Sequence, residues 1–207
     1  MNRSKMSKQT ILKCDFLQGA IRHRLRFGGG RGQHLPKAVG LKGGRSPTII
    51  DATAGLGRDA FLLASLGSQV TLIERSDIIH ELLADGMEAA RQAGGQHKDI
   101  IERMTLIHGD SIELLPRMHA DVVLIDPMHP PRKKSALVKA EMRAIRDIVG
   151  FDEDQRLLIE TALAIAAKRV VLKWPARAAP LAGLRPASHQ ITGKSIRYDV
   201  FMTSKEV

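Results

Sequence analysis

From residue 48 onward, short β-branched runs alternate with longer helical stretches, and this alternation restricts the chain to a small set of folds. The runs 48–51, 69–74, 104–108, 121–125 and 169–173 read as strands. Between them, 58–66, 77–93, 134–148 and 152–167 read as helices, with Asp77 as an N-cap and Gly150 separating the last two. Strands separated by helices of this length imply parallel βαβ units with right-handed crossovers. Two late runs, 189–192 and 198–202, are joined through a short Gly-Lys-Ser link and predict an antiparallel hairpin at one edge. The expectation is an α/β fold with a doubly wound, Rossmann-like, seven-stranded sheet, mostly parallel with an antiparallel edge.

The charge is distributed unevenly. Of 32 Lys and Arg residues, eleven fall within residues 1–45, against one acid, Asp15; beyond residue 45 the charges balance. This suggests a basic arm (1–45) ahead of a domain (46–207). Concentrated positive charge interleaved with glycines suits a polyanion, because neutralised phosphates release counterions. Arg22, Arg24, Arg26 and Arg31 are the candidate contacts. A merely solubilising tail is the bland alternative. One cysteine, Cys14, excludes an internal disulfide framework, and no apolar segment follows the basic N-terminus as a secretory signal would require. No stretch is apolar and long enough to span a bilayer. A soluble, cytoplasmic protein without membrane association is expected, its oligomeric state open.

Ligands of such sheets bind at the carboxyl ends of the strands. The first strand runs into Asp51-Ala52-Thr53-Ala54-Gly55-Leu56-Gly57-Arg58-Asp59-Ala60. Gly55-x-Gly57-x-x-Ala60 meets the loose dinucleotide fingerprint, and Glu74, 19 residues after Gly55, can accept ribose hydroxyls. Electrostatics separates the candidate ligands. A dinucleotide would press its pyrophosphate on this turn, where Asp51 and Asp59 would repel it. A sulfonium or ammonium there is attracted. Asp110, after the third strand, can accept from an adenine amino group. Together these acids describe a pocket for S-adenosylmethionine, with Asp51 and Asp59 at the methionine end. Singly, each is equally a helix cap or a solvated loop acid.

The fourth strand ends in Asp126-Pro127-Met128-His129-Pro130. Prolines fix the backbone where it leaves the sheet, so the Asp126 carboxylate and nearby carbonyls can accept hydrogen bonds from a planar exocyclic amine. Localising the amine's lone pair would aim it at a methyl carbon, with Asp126 as proton acceptor. His129 stands where a ring would stack on a target base, although an exposed loop histidine is as common. Arg132, Lys133 and Lys134 follow, and Lys173 with Trp174 closes the fifth strand, placed to contact an RNA backbone or flanking nucleotide around an extruded base. Lys139 is undecided between RNA and a solvated helix face. Cys14 has no catalytic partner nearby. No His/Cys cluster has metal-ligand spacing, so no metal is expected.

The strings DATAGLGRDAF (51–61), DPMHP (126–130), KSALVKAEMR (134–143) and RFGGGRG (26–32), in this order, resemble the RsmJ family. The likeness runs from about residue 15 to 202. It implies a class I methyltransferase domain over 46–207. The implied reaction moves a methyl from S-adenosylmethionine to guanine N2 in 16S rRNA, alone or in the 30S subunit, with S-adenosylhomocysteine as product. It further implies cofactor contact by Arg58, Asp59, Glu74, Arg75, Asp110, Ser111 and Asp126; Arg58, Arg75 and Ser111 come from the resemblance alone. Members usually carry Phe at the position of His129 and Arg at that of Trp174. Alternatives within the class are adenine N6 or a protein glutamine as acceptor. Outside it stand an NAD(P)-dependent oxidoreductase and a catalytically dead RNA-binding protein.

Overall fold

The structure is a computed structural model that describes residues 12–18, 30–42, 44, 46–127 and 154–203. Its centre is a sheet of β1 (Ile49–Asp51), β2 (Val70–Glu74), β3 (Met104–His108), β4 (Val122–Ile125), β5 (Arg169–Pro175), β6 (His189–Thr192) and β7 (Ile196–Met202). The strands lie in the order β3-β2-β1-β4-β5-β7-β6. The first five are mutually parallel, whereas β7 is antiparallel to both β5 and β6, so the edge hairpin is present as expected. Every residue of β1 and of β4 is buried, as strands covered on both faces must be.

Helices α1 (His34–Ala38), α2 (Arg58–Ser65), α3 (Asp77–Ala93), α4 (Gly95–Ile101), α5 (Ser111–Leu114) and α6 (Gln155–Ile165) accompany the sheet. The cap of α3 differs from expectation: Ser76 Oγ accepts from the Ile79 N–H. Asp77 lies in the first turn instead, where a carboxylate favours the helix dipole, and it meets His108 Nε2 at 3.0 Å. The sequence reading missed α4, which starts anew where Gly94 and Gly95 adopt φ of +72° and +54°. The expected helix at 134–148 lies outside the described residues.

The described parts of the basic segment pack into the domain. Cys14, Phe16, Leu35, Ala38, Val39 and Leu41 are buried in the core cluster that holds α2, α3, β1 and β2. Phe16 stacks on Phe61 with ring centroids 4.7 Å apart. Cys14 is buried, its thiol 3.4 Å from the Leu56 carbonyl oxygen, and fills the space left by the absent side chain of Gly86. Arg31 donates to the Leu66 carbonyl at 3.0 Å, beyond the last turn of α2. Helix carbonyls at that end lack internal partners and attract cations. Because α2 starts beside the carboxyl ends of the strands and runs away from them, Arg31 is tied at the opposite edge of the sheet. Arg31 is expected as a polyanion contact, and the structure engages its guanidinium at this helix end.

The hairpin is locked by an enclosed ion pair. Arg197 Nε donates to Asp199 Oδ1 at 2.8 Å, and Gln190 Nε2 donates to the same oxygen at 2.7 Å. Arg197 also reaches the carbonyls of Pro175, Ala176 and Ala178. Trp174, expected to contact RNA beside the extruded base, is buried, and its Nε1 donates to the Ala179 carbonyl at 2.8 Å. It belongs to the core because β5 continues through it to Pro175. Among the described residues, no helix is long and apolar enough to cross a membrane.

Candidate cofactor and substrate site

Strand order reverses between β1 and β4, and the crevice beyond their carboxyl ends is where a doubly wound sheet binds ligands. The structure has a cavity of about 320 Å³ there, within the range of small-molecule sites. Its floor is the turn after β1. Gly55 and Gly57 take φ of +53° and +66°, a region that side chains avoid. A Cβ on Gly57 would stand 2.8 Å from Leu83 Cδ1, whereas one on Gly55 would meet no atom within 4 Å. Gly57 thus lets the turn pack on α3 and start α2, while Gly55 faces open space. Thr53 ties the two central strands together: the Asp126 N–H donates to its Oγ1 at 2.7 Å.

The acids converge as the sequence predicts, but their partners were not anticipated. Asp51 is buried, and its carboxyl is pushed up to about 7 by burial first and then by the charges of Asp59 and Asp126. Lys173 Nζ donates to Asp59 Oδ2 at 2.8 Å and to Asp126 Oδ2 at 2.6 Å. Burial disfavours that ammonium, yet the two carboxylates outweigh burial and raise its pKa, so it stays protonated. Lys173 therefore points into the cavity, a correction to its expected place among the RNA contacts. The reason lies in the parallel register: Ile125 pairs with Leu172, which sets Asp126 beside Lys173.

Glu74 is buried, and it holds the turn itself. One carboxylate oxygen accepts from Gly55 N–H and the other from Ser76 N–H, both at 2.9 Å. Burial raises its pKa, and these bonds work against the rise. A carboxylate has about four lone-pair sites, so accepting capacity remains for ribose hydroxyls. Asp110 caps α5 by accepting from Ile112 N–H at 2.8 Å. The Ser111 hydroxyl donates to the Ala52 carbonyl at 2.7 Å and buttresses the turn. Arg75 bridges to Asp154 at 3.2 Å, with Asp110 at 3.9 Å on its other side. Asp154 and Leu158, from the start of α6, were missed by sequence reasoning because nothing local marks them as reaching back over β1.

Asp51, Gly55, Arg58, Asp59, Glu74, Arg75, Asp110, Ser111 and Asp126 all line this one cavity. Gly57 and Pro127 do not: Gly57 sits beneath the turn and Pro127 is buried behind Asp126. His129, Arg132, Lys133, Lys134, Lys139, Arg22, Arg24 and Arg26 lie outside the described residues. Asp59 and Asp126 around one ammonium leave a negative excess beside the turn, to which Asp51 adds only as pH rises past about 7. That fits a cationic adenosyl ligand, and apolar walls from Ala52, Ile73, Leu124, Ile112 and Leu158 suit its flat, uncharged portion.

Comparison with known proteins agrees with this chemistry. A family model described as SAM-dependent methyltransferase matches residues 1–203. The chain is 62% identical over 188 residues to ribosomal RNA small subunit methyltransferase J of Agrobacterium fabrum, covering 91% of this chain and 90% of that protein. It is 51% identical to the protein of the same name from Tolumonas auensis, covering 92% and 77%. Among solved structures, the SAM-dependent methyltransferase of Neisseria gonorrhoeae superposes with a TM-score of 0.76 at 35% identity, over 98% of this chain and 78% of that one.

Proposed function

The chain belongs to the SAM-dependent methyltransferase family, and from that premise we propose that it methylates the exocyclic N2 of a guanosine in small-subunit ribosomal RNA. The observation that carries this reading is the Asp126 carboxylate at the mouth of an acid-rich adenosyl cavity, on the strand end where an amine nucleophile would be held. S-adenosylmethionine supplies a methyl group made electrophilic by its sulfonium, and the negative charge that Asp59 and Asp126 retain beyond the single Lys173 ammonium is the complement of that charge. Glu74 and the glycine turn would hold the ribose, Asp110 the adenine edge, and Asp51 with Asp59 the amino-acid end.

Asp126 accepts a hydrogen bond from the guanine amino group. This localises a lone pair otherwise delocalised into the ring and fixes the nitrogen for in-line attack. The proton that the amine loses passes to Asp126 and on to water. His129 would stack on the extruded base. Arg22, Arg24, Arg26, Arg132, Lys133 and Lys134 would grip the RNA backbone, so affinity falls steeply with salt. The basic composition of 1–45 favours RNA over a protein glutamine as the acceptor.

The test joins two measurements. In 16S rRNA from a strain lacking the protein, mass spectrometry should find one N2-methylguanosine missing, and the purified protein should restore it. Asp126→Ala should reduce transfer at least a thousandfold while RNA affinity stays within threefold. Full methylation without the protein, or unchanged turnover in the variant, would refute the reading.

A further inference from the structure

An acid just past one parallel strand stands beside a base within the next. Asp126 follows β4, Lys173 lies on β5, and the Ile125–Leu172 pairing puts them in register. The Lys173 ammonium lies between two carboxylates from different elements: Asp59 of α2 at 2.8 Å and Asp126 at 2.6 Å. Only about a fifth of the Lys173 side chain is exposed, whereas Asp126 is 42% exposed and faces the cleft mouth. Thr53 Oγ1 holds the Asp126 backbone N–H and Lys173 holds its Oδ2.

We propose that Lys173 is a positioning residue of the methyl transfer, aiming the Asp126 carboxylate at the target amine and tying it to Asp59 on the cofactor side. The proposal rests on the reading of Asp126 as the group that meets the amine. An exposed carboxylate at a strand end turns freely about its terminal torsion. With Oδ2 committed to a fixed ammonium, that rotation stops, and the remaining accepting sites take one direction. Against burial, Asp126 and Asp59 raise the Lys173 pKa, so the brace carries a positive charge. Its positive charge also lets Asp59 and Asp126 converge without repelling each other apart. Misplacing a reacting group by about 1 Å costs on the order of a hundredfold in rate, and this is the loss the brace prevents.

A phosphate contact, as the sequence alone suggests, makes opposite predictions. Wild-type protein is first shown to methylate small-subunit RNA, which isolates the functional reading from this one. Lys173→Met and Lys173→Arg are then compared by calorimetry with S-adenosylhomocysteine, by RNA affinity across salt concentrations, and by single-turnover transfer at saturating substrates. The proposal expects RNA affinity within threefold and an unchanged salt slope in both variants. Transfer should fall about a hundredfold in Lys173→Met and about tenfold in Lys173→Arg, since a forked, longer guanidinium keeps the charge but shifts the carboxylate. A salt slope reduced by about one with undiminished transfer would make Lys173 a phosphate contact and overturn the proposal. Should Lys173→Met fail to fold, Lys173→Arg decides: wild-type transfer in that variant also overturns it.

Discussion

At Asp51, burial and neighbouring negative charge act in the same direction, and the consequence is measurable. Its carboxyl is held near 7 in the folded chain, against an ordinary value of 3.8. Between about pH 4 and 7 the folded state therefore binds a proton that the unfolded state has released, so stability falls as pH rises through this window and levels off above it. Asp51→Asn lacks the linkage. Its stability relative to wild type should rise by roughly 2–4 kcal/mol between pH 4 and pH 8, as read from urea denaturation at each pH. A pH-independent difference would show that the carboxyl is not held protonated. At this scale the sequence is informative about positions and uninformative about partners. Asp51, Asp59, Glu74, Asp110 and Asp126 were all legible as acids following strands or turns. That Glu74 spends one lone pair on the Gly55 N–H, or that Asp59 shares Lys173 with Asp126, depends on groups meeting across 19 to 114 residues of chain.

Among the elements, the edge hairpin shows how a local pattern hides a non-local bond. Alternation marked its two strands, and β6 has the expected limits. Yet Arg197 and Asp199, two residues apart on β7, are buried together, and Arg197 holds three carbonyls of 175–178. Removing one partner leaves an uncompensated charge in the interior. Asp199→Ala should therefore destabilise the protein by about 3–5 kcal/mol, measured by thermal or urea unfolding, with cofactor affinity unchanged in the fraction that remains folded. A loss below about 1 kcal/mol would mean that the pair is hydrated. The C-terminal end of β5, expected at Lys173, was misjudged for the same reason. Lys173 and Trp174 look like a polar exit from the sheet, but β7 pairs with both and carries the strand to Pro175. Helix α4 escaped notice because two adjacent glycines read as a loop, while their positive φ values allow an abrupt helix restart.

For the whole molecule, composition hides a packing role of the basic segment. Its lysines and arginines account for the net charge, yet its described apolar residues belong to the core: Phe16 lies against Phe61, and Leu35, Val39 and Leu41 are buried with it. Phe16→Ala should cost about 3–5 kcal/mol of stability, the range for deleting a buried ring, and should lower the unfolding midpoint of the entire domain in one transition. A variant with native stability would return residues 12–18 to the status of an appended arm. The alternation of strands and helices, the glycine turn and the acids at strand ends were determined by the sequence itself, because periodicity and turn chemistry act over a few residues. Tertiary structure alone decided the rest: Lys173 inside the cavity, Arg31 at the far edge, Trp174 in the core and the described parts of the basic segment folded into the domain. Each depends on which strands become neighbours and in what register, and that is set by burial of the whole sheet rather than by any stretch of chain.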